Sequence, residues 1–150
     1  MPVRSRVQQQ RFGSVAEEAM VSLLVAAGHL TQRINDLCRR HGITHDQYNI
    51  LRILRGVHPD GHPRCEIACR LMSRSPDVTR LIDRLERAGL VRRAWSPENR
   101  RLSIATITAD GLALLAAIDP EIQIVQEELT NGLTTQELQQ LSRTCARLVR

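Results

Sequence analysis

Residues 64–101 read RCEIACRLMSRSPDVTRLIDRLERAGLVRRAWSPENRR, and this stretch decides the fold. Apolar residues recur at helical spacing twice, over residues 64–72 and again over residues 78–85. A polar turn separates these two segments, and two short strand-like runs around a polar tip follow the second. The pattern predicts two helices joined by a tight turn and then a β-hairpin wing. That is the layout of a winged helix-turn-helix, which places its second helix in the DNA major groove.

The positive charge of the chain is concentrated in the same region. The chain has 21 Lys and Arg residues against 16 Asp and Glu residues, a formal net charge of +5. Residues 61–108 contain ten arginines and five acidic residues, so this segment carries the whole excess. An excess confined to one subdomain suits a polyanion, although a solvated basic face without a partner gives the same count. Because the excess coincides with a winged-helix pattern, we favour double-stranded DNA as the partner.

Length and composition bound the fold class. The 150 residues fit one domain, and the aromatic content of 2% requires an aliphatic core. Such a core favours packed helices over a β-sandwich. No apolar run approaches the roughly 18 residues of a membrane span, and residues 1–12 lack the apolar stretch of a signal peptide. We therefore expect a mainly α protein in the cytoplasm, without a membrane partner.

Capping signals divide the chain into a central module and two outer segments. Three capping boxes predict helix starts, and they are Ser14-x-x-Glu17, Thr44-x-x-Gln47 and Thr134-x-x-Glu137. We expect outer helices within residues 14–42 and 109–150 around a winged helix-turn-helix module over residues 44–108. The outer helices either wrap this module or pair with a second copy. We favour dimerisation helices, because recognition helices of this type work in pairs about 34 Å apart.

Local chemistry places the remaining boundaries. Ser75 is the predicted N-cap of the module's second helix, Pro76 its first residue, and Gly89 its end. Trp95 is expected to pack at the base of the wing rather than to contact DNA. Pro120 lies inside the long helix after the wing and should kink or interrupt it. Inward positions are expected in the short helix at Ile67, Ala68 and Leu71, and in the last helix at Leu138, Leu141, Cys145 and Leu148.

By these residues the chain resembles the MarR family of bacterial transcription regulators, over about residues 44–115. Three stretches carry the resemblance in order: Glu66-Ile67-Ala68 with Leu71, the run from Ser75 to Gly89, and Ser96-Pro97-Glu98-Asn99-Arg100-Arg101 followed by Ile107-Thr108 and Gly111. The resemblance implies a homodimer on a pseudo-palindromic operator. It further implies a repressor that is released by a small phenolic or other aromatic effector, or by thiol oxidation. Asn99 is a departure, because the family usually has Asp there to brace a wing arginine.

Nine residues are expected to contact DNA. Arg80 should read a base edge, Ser75 and Thr79 should hold a phosphate or a base, and Arg84 should hold a phosphate unless it forms an ion pair within the helix. The wing arginines should enter the minor groove or brace the backbone. The complete set is Arg74, Ser75, Asp77, Thr79, Arg80, Arg84, Asn99, Arg100 and Arg101.

Two other classes of function compete with a repressor that a small molecule releases. Cys65 and Cys69, with His58 and His62 nearby, make a thiol-sensing or metal-sensing regulator an alternative, although the C-x3-C spacing is not usual for structural zinc. No nucleophile motif, Gly-rich phosphate loop or paired acids are apparent, so we expect neither an enzyme nor a cofactor. Any effector pocket should lie between the outer helices and the winged module.

Overall fold

The computed structural model describes residues 11–72, 77–96, 99 and 102–149. Within these ranges the chain forms six helices and three short strands. They are α1 (Val15–Arg40), α2 (His45–Arg55), β1 (His62–Pro63), α3 (Arg64–Arg70), α4 (Val78–Arg87), β2 (Val91–Trp95), β3 (Ser103–Ile107), α5 (Ala109–Thr130) and α6 (Thr135–Leu148). This is the mainly α fold with a small wing that the sequence predicts. None of these described helices is long and apolar enough to cross a membrane.

The predicted caps begin their helices. Thr44 and Thr134 form complete capping boxes at the starts of α2 and α6. The box at α1 is one-sided: the Ser14 hydroxyl accepts from the backbone N–H of Glu17 at 3.1 Å. The Glu17 carboxylate, however, accepts from Gly13. In each of these three helices, the N-cap hydroxyl thus satisfies one of the orphaned N–H groups of the first turn.

Helix α4 begins two residues later than predicted, at Val78. Asp77 is its N-cap, with a non-helical ψ of 89°, and its carboxylate accepts from the backbone N–H of Arg80 at 3.3 Å. The prediction of a Ser75 cap was wrong because a carboxylate at Asp77 satisfies the same donors and also suits the positive helix end. Ser75 and Pro76 themselves lie outside the described residues.

The three strands form one antiparallel sheet in the order β1-β3-β2. β2 pairs with β3 from Val91 opposite Ile107 to Trp95 opposite Ser103. β1 was not predicted, because two residues show no alternation and residues 58–63 have turn chemistry. Gly61 permits this strand: a Cβ there would lie 2.1 Å from the carbonyl oxygen of Ala105 on β3.

The aliphatic core lies between the helices, and α1 to α5 all contribute to it. Eight large aliphatic side chains are fully buried in it: Leu37, Ile50, Leu51, Leu54, Ile67, Leu85, Leu115 and Ile118. α3 contributes only Ile67, while Leu71 packs against the core from its edge. Ala68 is exposed, contrary to expectation, because so short a helix turns only one apolar position fully inward.

Polar contacts join the C-terminal part of α1 to the C-terminal half of α5. Arg40 and His41 both reach the Glu121 carboxylate, at 2.7 Å each, and Arg33 pairs with Glu128. α5 runs through Pro120 without an interruption, and the alternative expectation of a kink stays a prediction. Pro120 and the residue four positions before it, Ala116, are both exposed, so solvent can reach the carbonyl that the proline leaves unbonded.

α6 has no buried residue in the single chain. Leu141 and Leu148 are each 52% exposed, and only Leu138 and Cys145 are half-buried. The expectation that this face points into the chain's own core was therefore wrong. The N-terminal half of α1 is similarly uncovered, with Met20 43% and Leu24 72% exposed.

Candidate nucleic-acid interface

α4 presents a basic outer face. Its apolar residues, which include Leu81, Ile82 and Leu85, are buried against the core. The opposite side carries Thr79, Arg80, Arg84 and Arg87, all exposed. This amphipathic division follows directly from the helical period of the sequence. α4 therefore has the form of a recognition helix, with one apolar face packed on the core and one exposed face of hydrogen-bond donors.

The entrance of the recognition helix is organised by Asp77. Besides capping the helix, its carboxylate pairs with the Arg80 guanidinium, with Oδ2 and Nε 3.1 Å apart. The Arg80 side chain remains 79% exposed, so this pair orients the guanidinium without burying it. In the free chain the Asp77 carboxylate holds Arg80, and its contact with DNA stays a prediction.

The Arg84 guanidinium makes no hydrogen bond or ion pair with any residue that the structure describes. The intrahelical pairing weighed for it is therefore absent from the described part of the chain. The neighbouring carboxylate of Asp83 bonds instead to Arg93 of β2, at 2.8 Å. Arg84 and Arg87 thus stand with their donors unengaged by those residues, on the same outward face as Arg80.

Arg93 fastens the wing to the recognition helix. Its Nε donates to the Glu86 carboxylate at 2.9 Å, and its backbone N–H donates to the same group at 3.2 Å. These bonds to Arg93 lower the pKa of Glu86, and Glu86 in turn raises the pKa of Arg93. The sequence analysis did not predict this brace between Arg93 and the acids of α4. Its residues lie close in sequence, with the acids before the Gly89 turn and the arginine after it.

The wing tip is described in part. The Asn99 backbone N–H donates to the Ser96 hydroxyl at 3.3 Å, and its carbonyl accepts from Leu102 at 2.8 Å, so Asn99 holds the turn through its backbone. Four of the predicted contact residues lie outside the described residues: Arg74, Ser75, Arg100 and Arg101. The described part therefore brings together Asp77, Thr79, Arg80 and Arg84 on one helix, with Asn99 at the hairpin.

Trp95 is not the packing anchor that the sequence suggested. Its side chain is 68% exposed at the end of β2. It lies at a cleft that also involves Arg64, Thr79 and Ser103. Alternation along the strand puts Trp95 on the same face of the sheet as Val91 and Arg93, but it does not reveal how far the wing stands away from the helices.

The cysteines differ in accessibility. Burial raises the pKa of the Cys38 thiol to about 11, so this group is held as the unreactive thiol. Cys65 and Cys69 are exposed on α3, and they remain the residues on which the thiol-sensing alternative depends. Among the residues the structure describes, no three His, Cys, Asp or Glu side chains are grouped to hold a metal ion.

A second cavity, of about 430 Å³, lies between the outer helices and the central module. α1 and α5 supply mainly apolar walls to it, and α2 supplies Tyr48, Arg52 and Arg55. The Arg52 guanidinium lies 5.7 Å from the centre of the Tyr48 ring, and Arg55 donates to both carboxylate oxygens of Asp119 at 2.6 and 3.2 Å. Burial raises the pKa of Tyr48, so its phenol stays protonated. This location is the one expected for an effector pocket.

These features define a winged helix-turn-helix protein, and comparison with known proteins agrees. Residues 43–103 match the MarR family. A solved MarR transcription factor from Planctomyces limnophilus is 36% identical, with a TM-score of 0.70, and the alignment covers 91% of this chain and 98% of that one. The homoprotocatechuate degradative operon repressor of Escherichia coli is 28% identical over 81% of each chain. The transcriptional repressor CouR, solved on a 23-mer DNA duplex, is 26% identical with a TM-score of 0.81, covering 95% of this chain and 99% of that one.

The chain belongs to the MarR family. It is a transcription regulator with a winged DNA-binding module, and its relatives in these comparisons are regulators rather than enzymes.

Proposed function

We propose that this regulator is a repressor that binds a pseudo-palindromic operator as a homodimer and is released by a small aromatic effector. The observation that carries the proposal is the outward face of α4, where Arg80, Arg84 and Arg87 are exposed beside a wing fastened to the same helix. The names of two relatives, one called an operon repressor and one a repressor bound to duplex DNA, support the assignment.

Within the operator, Arg80 reads a base edge in the major groove. Asp77 holds its guanidinium at the helix entrance, and an arginine fork in that position matches the O6 and N7 acceptors of guanine. Thr79 and Arg84 bind phosphates on either side and fix the helix in register. Asn99 shapes the wing turn that carries Arg100 and Arg101 to the minor groove, while Arg74 and Ser75 contact the backbone at the helix entrance.

The homodimer forms through the outer helices. Leu141 and Leu148 on α6 and Leu24 on α1 leave apolar surface uncovered in the single chain. A second copy seated on this surface removes it from water and fixes the distance between two recognition helices. Residues 14–42 and 109–150 are thus assigned to dimerisation, and residues 44–108 to DNA binding.

The effector binds in the cavity between α1, α2 and α5. The Tyr48 ring offers a stacking surface, and Arg52 offers a donor for a carboxylate or phenolate. Because α1 and α5 belong to the dimer segment and α2 to the DNA-binding module, an occupant contacts both. An effector that fits only one relative arrangement of the two shifts the population toward it.

The proposal is tested by selection of duplexes from a random library with the purified full-length chain. We expect a pseudo-palindromic consensus, two chains per duplex by light scattering, and an affinity whose logarithm falls linearly with the logarithm of salt concentration. The same measurements on a mixed-sequence duplex give the non-specific baseline. A monomer that enriches no duplex, or an affinity insensitive to salt, would contradict the proposal.

A further inference from the structure

A cleft of about 270 Å³ separates the recognition helix from the wing. Arg64, at the start of α3, and Thr79, on α4, form one side of it. Arg93 and Trp95 of β2 and Ser103 of β3 form the other. Neither the family match nor the predicted contact set assigns a role to Arg64 or Trp95.

Arg93 and Trp95 of β2 face this cleft, and exposure along this side of the strand increases toward the wing tip. Val91 is 2% exposed, the Arg93 side chain 34%, and Trp95 68%. Successive odd-numbered residues of the strand share one face, so the Trp95 indole continues the row beyond the point where α4 covers it. The chain therefore holds its largest apolar side chain uncovered at the mouth of this cleft, beside the basic face of the recognition helix.

The groove geometry of DNA determines what passes through this space. The major and minor grooves alternate along a duplex, and a sugar–phosphate strand separates each from the next. When a recognition helix lies in the major groove and its wing in the adjacent minor groove, that strand runs between them. We propose that this cleft holds one sugar–phosphate strand of the operator, with Trp95 packed on a deoxyribose and Arg64 donating to a phosphate. This proposal rests on the DNA binding proposed above.

The charges of the cleft select Arg64 for the phosphate. Arg93 is already bonded to both Asp83 and Glu86, so little of its charge is available to a ligand. The Arg64 side chain is exposed and has no hydrogen bond or ion pair to the part of the chain that the structure describes. The hydroxyls of Thr79 and Ser103 add uncharged donors on the two walls. A deoxyribose, which is apolar on its face, complements the indole.

Trp95 is the only tryptophan in the sequence, so its fluorescence reports on this cleft alone. The full-length chain is titrated with the duplex that it selects, and binding is followed separately by the anisotropy of a dye on the DNA. We expect the tryptophan emission to move to shorter wavelength and its quenching by acrylamide to fall severalfold at the same DNA concentration. Binding by anisotropy with unchanged quenching would overturn the cleft assignment and leave the proposed function standing. No binding by anisotropy would overturn both.

Arg64→Gln isolates the phosphate contact. Affinity should fall by the same factor on selected and mixed-sequence duplexes, because a phosphate carries no sequence information. The log–log salt slope should decrease by about one for each chain bound. Arg92→Gln is the charge-matched control, since it removes the same charge from the face of β2 that points away from the cleft. Equal changes of slope in the two variants would show that Arg64 acts only through net charge.

Trp95→Ala isolates the apolar contact. We expect binding to weaken by roughly tenfold, as for removal of a buried apolar side chain, with no change in salt slope. Trp95→Phe should restore most of the affinity. Because the side chain is exposed in the free protein, the urea midpoint of both variants should match the wild type. An unchanged affinity in Trp95→Ala would refute the packing on deoxyribose.

Discussion

Arg93 on the wing donates to the Glu86 carboxylate on the recognition helix through three groups, its backbone N–H at 3.2 Å, its Nε at 2.9 Å and its Nη2 at 2.5 Å. The Arg93 Nη1 also reaches Asp83, one helical turn earlier, at 2.8 Å. One arginine thus spans two carboxylates on α4 and fixes the angle at which the wing leaves the helix. Since helix and wing occupy adjacent grooves in the proposed complex, this angle determines whether both fit at once.

Removing the brace should reduce both stability and DNA affinity. The side chains of Arg93, Asp83 and Glu86 are each about one-third exposed, so solvent screening limits the stabilisation that their ion pairs provide. We therefore expect Arg93→Ala to lower the free energy of unfolding by about 1 kcal/mol. Urea denaturation measures this loss. Arg92→Ala on the same strand is the control and should change stability by less than about 0.5 kcal/mol. Equal losses in the two variants would show that the network does not stabilise the wing.

The brace should also weaken in acid. Because Arg93 lowers the pKa of Glu86 in the folded chain, the stabilisation is complete above the ordinary glutamate pKa of about 4.3 and is lost as pH falls through the lowered value. We expect the difference in unfolding free energy between the wild type and Glu86→Gln to be constant from pH 7 to about 5 and to shrink below that. Urea titrations at each pH measure it. A difference that grows on acidification would contradict this sign.

Asp77 and Arg80 can be separated by the choice of substitution. Arg80→Ala should cost roughly 1–3 kcal/mol on the selected duplex and relax preference at one base position. Asp77→Asn keeps a good N-cap but removes the ion pair, so it should weaken specific binding without a large loss of stability. Asp77→Ala should cost a further ~1 kcal/mol of stability. If Arg80→Ala weakens binding equally on selected and mixed-sequence duplexes, Arg80 contacts only the DNA backbone.

Local rules explain why much of the fold is predictable. Thr44 and Thr134 cap helices by bonds within four residues, and Gly42 and Gly89 end helices at positive φ, where glycine alone is unstrained. These capping and terminating interactions involve only residues that are close in sequence, so the sequence alone predicts them. Helical periodicity likewise identifies the buried face of α4 and therefore its arginine face.

The features that were missed depend on contacts distant in sequence or on a choice between local solutions. β1 exists because Gly61 lets its strand approach β3 more than 40 residues later. The Arg93 brace requires the wing register, which the turn at Gly89 sets. At the start of α4, Ser75 and Asp77 both offer caps, and the two-residue error came from choosing the earlier one.

The face of α6 should be required for dimerisation. Leu141 is 52% exposed in the single chain, and a charge in its place would be buried without a partner in the proposed interface. We expect Leu141→Glu to weaken the dimer by at least roughly tenfold, as measured by sedimentation equilibrium. Gln139→Glu is the control, because it adds the same charge on the opposite side of the helix. A Leu141→Glu protein that dimerises as tightly as the control would place the interface elsewhere.

Arg52 should determine the response to an aromatic acid. It lies over the Tyr48 ring and forms no ion pair within the described chain, whereas Arg55 is already engaged by Asp119. The probe is benzoate. We expect the Arg52→Ala protein to bind benzoate about tenfold more weakly, which is the loss typical of a charged hydrogen bond. Its affinity for DNA in the absence of benzoate should stay unchanged. Calorimetry measures the first and DNA anisotropy the second. Arg39→Ala, on the outward side of α1 beyond the cavity, is the charge-matched control and should retain the response. The same loss in both variants would exclude a direct contact between Arg52 and the acid, and a wild-type protein that binds no aromatic acid would remove this class of effector.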